Sequence, residues 1–357
     1  VDAAVVGVLQ QAGAIVIGKA HLNEFAFGAQ HPRFGSTRNP WDRSVTCGGS
    51  SNGSAVGVAC GLAHLSIATD SAGSVRQPAA FAGVVGFKPT ADAVSTRGII
   101  PLSSTLDHVG IIARSADDVA AAFSAIRTPQ ESAAGPSAEA RRREFTCRLA
   151  DSPCTGGIAA SVAAEAVDRA LGEVSTLGIC VQRPVALPEL ETALAAMAVI
   201  TRTEAATYHE PLLAARSAEY NPALRARLRV GQLLPATAYA RALKIREQLR
   251  RVVDGALEEI DLLVTPSVPF APPPLSVRSI ETEAGMLSVS TASCWFLSLF
   301  NLTGHPAIAV PCGFTDEGLP LSMQFVGRRN ADDVVLEAAR RYQCATDWHI
   351  AKPPIAA

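Results

Sequence analysis

A helix-covered α/β sheet is the fold class that three features of the sequence predict. Strand-like apolar runs, tight turns and helical spacings alternate through the first 126 residues, which favours a layered sheet over an all-β or helical-bundle design. The run Ala14-Ile15-Val16-Ile17-Gly18 is continuous and apolar, as suits a strand buried on both faces. With 357 residues, 48% hydrophobic and 18% charged, the chain can bury a sizeable core in one large or two ordinary domains.

In chain order, Asp2 to Ala12 places Val5, Val6 and Leu9 on one helical face, and Ala14 to Gly18 follows as the first strand. Phe25 to Trp41, rich in Gly, Pro and Asn, reads as a long surface connection. Asn52 to Gly61 is a helix capped by Ser51 or Asn52, Leu65 to Thr69 a strand, and Asp70 to Gly73 the turn that delivers Ser74. Ala82 to Phe87 is a second strand-like unit and Asp117 to Ile126 an Ala-rich helix. Arg127 to Arg141, containing Pro129, Gly135 and Pro136, is the linker candidate. Helical spacing returns over Ser161 to Leu177 and Tyr239 to Ile260, the latter with Leu243, Leu249, Val252, Val253 and Leu257 as its inner stripe. Asp261 to Pro266 is a strand stopped by proline, Ala307 to Val310 is another before Pro311, and Leu321 to Val326 alternates less clearly.

Composition sets several functions aside. A formal net charge of -2 gives no pull toward nucleic acid or anionic membranes, and Arg141-Arg142-Arg143 is too short for a binding patch. No apolar run reaches the length of a bilayer span. The eight cysteines are scattered, without CxxC or zinc-ligand spacing, as expected of free thiols in a reducing cytoplasm. Asn301-Leu302-Thr303 matches a glycosylation sequon, read as a chance match.

The chemistry concentrates in two serine-bearing turns, Gly48 to Ser54 and Thr69 to Arg76, whose Ser50 and Ser74 stand 24 residues apart. Small residues around each serine let backbone N–H groups approach a bound anion. Gly49-Ser50-Ser51-Asn52-Gly53 fits the G-x-S-x-G nucleophile elbow, but Arg43-Ser44-Val45-Thr46 is a poor preceding strand. No Lys-Ser or Lys-Thr follows the glycines as a phosphate-binding loop requires, and none of the four lysines sits in S-x-x-K.

The chain resembles the amidase signature family. The resemblance runs through Gly18-Lys19, Asn23 to Gly28, Arg38 to Asp42, both serine turns, Gln77-Pro78, Gly83 to Thr90, Phe300 to Pro306 and Pro311 to Phe314. It implies a mixed twisted sheet with helices on both faces, and a Ser-Ser-Lys triad that hydrolyses carboxylic amides through an acyl-enzyme. Ser74 matches the nucleophile, and Ser50 the relay serine whose preceding peptide bond is cis. The N–H groups of Ser71, Ala72, Gly73 and Ser74 match the oxyanion hole, while Ser51, Thr69, Asp70 and Arg76 match supporting positions. Ala72 replaces the commoner Gly, a source of strain if φ is positive there.

The family's catalytic lysine lies in a motif upstream of the helix that opens this chain, so the general base is expected to be absent and the chain to begin in mid-fold. Lys19 matches a different, structural lysine, His305 a core or turn histidine, and Cys47 inert packing. The expected division is a signature core over 1–127, a variable specificity region over 128–295 and a return to the core over 296–357. A cytoplasmic amidase acting on a small-molecule amide is the expectation, with no cofactor, metal, nucleic-acid or membrane partner and a homodimer as the candidate assembly. The alternatives are the glutaminase subunit of a tRNA-dependent amidotransferase, against which Thr203 to His209 departs from that subunit's pattern, and a truncated, catalytically defective binding form.

Overall fold

Eight strands pair into one mixed sheet in the order β1-β3-β2-β9-β10-β6-β4-β5, and two more form a separate hairpin. They are β1 (Leu65–Asp70), β2 (Val85–Lys88), β3 (His108–Ala113), β4 (Phe145–Asp151), β5 (Ile179–Ala186), β6 (Leu262–Pro266), β7 (Ser279–Thr282), β8 (Gly285–Ser288), β9 (Ala307–Phe314) and β10 (Pro320–Gly327). From β1 to β6 neighbours run antiparallel, whereas β6, β4 and β5 are mutually parallel. This computed structural model describes residues 2–128, 145–151, 161–177, 179–187, 190–282 and 285–354.

The helices are α1 (Ala4–Gln11), α2 (Asn52–Ala59), α3 (Arg76–Ala82), α4 (Ala116–Ile126), α5 (Ser161–Ser175), α6 (Leu190–Arg216), α7 (Pro222–Gln232), α8 (Ala236–Ala256), α9 (Val289–Ala292), α10 (Ser298–Thr303) and α11 (Asp332–Ala345). Strand side chains alternate between two cores, as a period of two dictates. Leu262, Val264, Ile308, Val310, Met323 and Phe325 join Val5 of α1, Phe123 of α4, Val167 of α5 and Tyr342 of α11 on one face. Leu263, Ala307 and Val326 join Ile200 of α6, Leu249 of α8 and Phe300 of α10 on the other. The mixed sheet with helices on both faces is therefore present.

Several local expectations fail for physical reasons. Ala14 to Gly18 forms no strand and lies in the open, with Ile15 88% and Ile17 72% exposed. No described strand pairs with it, and a lone extended segment buries neither face. Pro311 does not end β9: the strand continues to Phe314, because its pairing with β2 finishes at Ala309 and the β10 register shifts at Leu321/Ser322, where a missing N–H is tolerated. In α8 Leu249 and Val253 are buried as expected, but Val252 is exposed. Ser51 occupies the N-cap of α2 without a side-chain capping bond. Residues 129–144 of the linker candidate lie outside the described residues.

Candidate active site

Strand β1 ends at Asp70, and the chain bends through Ser71, Ala72 and Gly73 before entering α3 at Arg76. The bend is built around one carboxylate. Asp70 accepts from the N–H of Gly73 (2.6 Å) and of Val75 (3.2 Å), and from the Arg76 guanidinium at Nε (3.0 Å) and Nη2 (3.2 Å). Both side chains are 0% exposed. Arg76 also donates to Gln324 Oε1 (3.1 Å), the Leu297 carbonyl (3.0 Å) and Asn301 Oδ1 (2.6 Å). Asn301 returns its amide to the Asp70 carbonyl (2.8 Å) and carboxylate (2.9 Å). The sequon asparagine is thus a fully buried structural residue.

Burial pushes the Asp70 pKa up, but the Arg76 charge and hydrogen bonds, Lys88 and the Asn301 amide outweigh it and hold the carboxyl below the usual carboxylate range. Lys88, also fully buried, donates to the Pro89 carbonyl at 2.8 Å. Burial first, and then the Arg76 charge, carries its pKa well below the ordinary lysine value.

At Gly73 φ is 112°, and a Cβ there would stand 2.5 Å from Leu297 Cδ1, so glycine is required twice over. Ala72 is not among the positive-φ residues and carries no such strain. The Gly73 N–H, expected in the oxyanion hole, is committed to Asp70. Among the described residues no hydrogen bond engages the N–H of Ser71, Ala72 or Ser74. Ser74 itself is half-buried.

The second turn lies against the first. Ser51 N–H donates to the Ser74 carbonyl (3.3 Å), and Ser51 Oγ to the Thr69 carbonyl (3.4 Å). Thr69 therefore meets this turn through its backbone, not its hydroxyl. The Gly49–Ser50 peptide bond is cis. Gly49 N–H donates to Gln77 Oε1 (2.9 Å), the Ser50 carbonyl accepts from Asn23 N–H (3.0 Å), and Asn52 Nδ2 donates to Asn23 Oδ1 (2.8 Å). A Cβ on Gly53 would lie 2.5 Å from the His21 carbonyl, so the 21–23 backbone packs onto this turn directly. Ser50 is 3% exposed, and its Oγ has no hydrogen-bond partner among the described residues.

Ser50, Ser51, Thr69, Asp70, Ser71, Ala72, Gly73, Ser74 and Arg76 are thus brought together. Lys19, Lys244 and Lys352 are exposed. His305 is a core histidine with both ring nitrogens partnered, Nδ1 to Thr303 Oγ1 (2.8 Å) and Nε2 to Asp254 Oδ1 (3.1 Å). Burial, opposed by Asp254, lowers its pKa to about 3. Cys47 is buried, and that burial pushes its thiol up to about 11, as inert packing requires. Gln77, Gln324, Asp107 and Glu204 escape sequence reasoning. The one available signal was the apolar run Val109 to Ala113, which as β3 sets His108 opposite Asp70 and brings Asp107 to the bend.

The Amidase family model matches residues 1–336. A glutamyl-tRNA(Gln) amidotransferase subunit from Symbiobacterium thermophilum is 35% identical, over 99% of this chain and 78% of that protein. The putative amidase AmiD of Mycobacterium tuberculosis is 33% identical, over 99% of this chain and 75% of that protein. A crystal structure of an amidase superposes with a TM-score of 0.88 at 32% identity, covering 97% of this chain and 78% of the other. 6-Aminohexanoate cyclic dimer hydrolase, complexed with substrate, gives 0.87 at 25% identity, covering 100% and 80%. Because sequence and fold agree along nearly the whole chain, the protein belongs to the amidase signature family of amide-hydrolysing enzymes.

Proposed function

We propose that the protein hydrolyses a small carboxylic amide to the acid and ammonia or an amine, through an acyl-enzyme on Ser74. The observation that carries this reading is the direct bond between the two serine turns, Ser51 N–H to the Ser74 carbonyl, beside three N–H groups, at Ser71, Ala72 and Ser74, that are unengaged among the described residues. Ser74 Oγ attacks the carbonyl carbon while Ser50 Oγ takes its proton and passes its own to a lysine. The three N–H groups stabilise the oxyanion, Gly73 serving the bend instead. The leaving nitrogen is protonated back through Ser50, and water then releases the acid and regenerates Ser74. Lys19, Lys244 and Lys352 are exposed and Lys88 is bonded to the Pro89 carbonyl, so none of the four is assigned as that base. Specificity is assigned to residues 128–295, and a cytoplasmic homodimer is the proposed form. No helix among the described residues is long and apolar enough to cross a membrane.

A fluorophosphonate probe tests the reading in the protein. Ser74→Ala abolishes labelling and lowers amide hydrolysis by about three orders of magnitude or more; labelling that persists unchanged means another serine reacts. A second reading, the glutaminase subunit of an amidotransferase, is favoured by the 35% identity to the Symbiobacterium protein. Ammonia release from glutamine alone, out of a panel of aliphatic and aromatic amides, together with co-purifying subunits, would select it.

A further inference from the structure

Behind the Ser71–Ser74 bend lies a chain of polar contacts that the proposed reaction does not use. Ser71 Oγ donates to Asp107 Oδ1 at 2.5 Å. The same carboxylate accepts from the N–H groups of Leu102 (2.8 Å) and Ser103 (3.1 Å). The fully buried Ser103 then donates its hydroxyl to Glu204 Oε2 at 2.6 Å. Glu204 belongs to α6, far along the chain, and its other oxygen accepts from Thr105 Oγ1 (2.8 Å) and from the Tyr239 hydroxyl of α8 (2.7 Å). Arg246, also of α8, donates to the Thr105 carbonyl (2.9 Å) and to the Leu302 carbonyl (2.8 Å), next to the Asn301 that binds Asp70. The 102–107 turn is therefore held on one side by the reactive bend and on the other by the long helices.

We infer that Asp107 is a positioning residue for the Ser71–Ser74 bend, and that Glu204, acting through Ser103 and Asp107, couples the reactivity of Ser74 to helices α6 and α8. The inference rests on the role proposed for Ser74. Ser71 presents one of the three unengaged N–H groups, and its hydroxyl is the handle by which Asp107 fixes the direction of that N–H. An oxyanion donor acts in the transition state more than in the ground state, so losing its alignment lowers kcat and leaves KM nearly unchanged. Glu204 lies in the Thr203 to His209 stretch, so α6 carries the connection.

The test uses Ser71→Ala, Asp107→Asn, their combination, and Glu204→Gln, each made in the protein. Amide hydrolysis and the fluorophosphonate labelling rate are measured on variants whose urea midpoint confirms folding. Ser71→Ala and Asp107→Asn should each lower kcat about tenfold to a hundredfold with KM within about twofold, the scale of a misplaced oxyanion donor. The double variant should fall below the less active single variant by no more than about threefold, because both break one contact. Glu204→Gln should lower kcat by about threefold to tenfold. A folded Ser71→Ala or Asp107→Asn protein with unchanged kcat, or multiplicative losses in the double variant, overturns the role of Asp107. An unchanged kcat in Glu204→Gln overturns the coupling. Labelling that survives Ser74→Ala would overturn the reading of Ser74 itself, a separate outcome.

Discussion

The two serine turns touch each other but are held by different forces. Asp70, Arg76, Asn301 and Gln324 brace the Ser71–Ser74 bend with a buried ion pair contributed by three parts of the chain. Among the described residues the Gly48–Ser50 turn is held by neutral contacts, from Thr46, Gln77 and Asn23, the last itself bonded to Asn52, and by close backbone packing at Gly53. A charged brace aims donors rigidly, and its loss leaves an uncompensated ion in the core. A neutral brace tolerates the loss of one contact, as befits a turn whose hydroxyl is proposed to exchange protons in both directions.

Arg76→Met should have the largest effect on this contrast. It strands the Asp70 carboxylate and should cost about 3–5 kcal/mol in urea unfolding; a cost under about 1 kcal/mol would mean the ion pair is dispensable. Gly53→Ala, which drives a methyl group into the His21 backbone, should cost about 1–3 kcal/mol. A cost near zero there would show that the 21–23 segment is not fixed against the turn.

Acid titration separates the two braces, because only one of them carries a titrating carboxylate. Asp70 has a folded pKa below its ordinary value of 3.8, so its contribution to stability is fully present above that value and is lost as pH falls through the folded one. Asp70→Asn should therefore be less costly, relative to wild type, in strong acid than at pH ~7. Asn23→Ala, at about 1 kcal/mol, should cost the same at both. Parallel pH profiles for the two variants would remove the distinction.

Legibility in the sequence followed the range of the interaction. Gly73 and Ser74 could be placed because glycine conformation and a short turn are local matters. Glu204 could not, since nothing in the order Thr203-Glu204-Ala205 says that Ser103 will stand beside it. The same limit separates two similar apolar runs: Ala307 to Val310 lies at the centre of the sheet, while Ala14 to Gly18 is exposed. Both have strand composition, and only one has a described strand beside it.

By itself the sequence determined the family, the helix-covered sheet and the two serine turns, because these depend on residue type and spacing along the chain. Tertiary structure alone decided that Asn301 is a core brace and that α6 reaches the Ser71–Ser74 bend through Asp107. Those facts depend on hydrogen bonds between residues up to 231 positions apart, whose partners are set by packing rather than by neighbours in the chain.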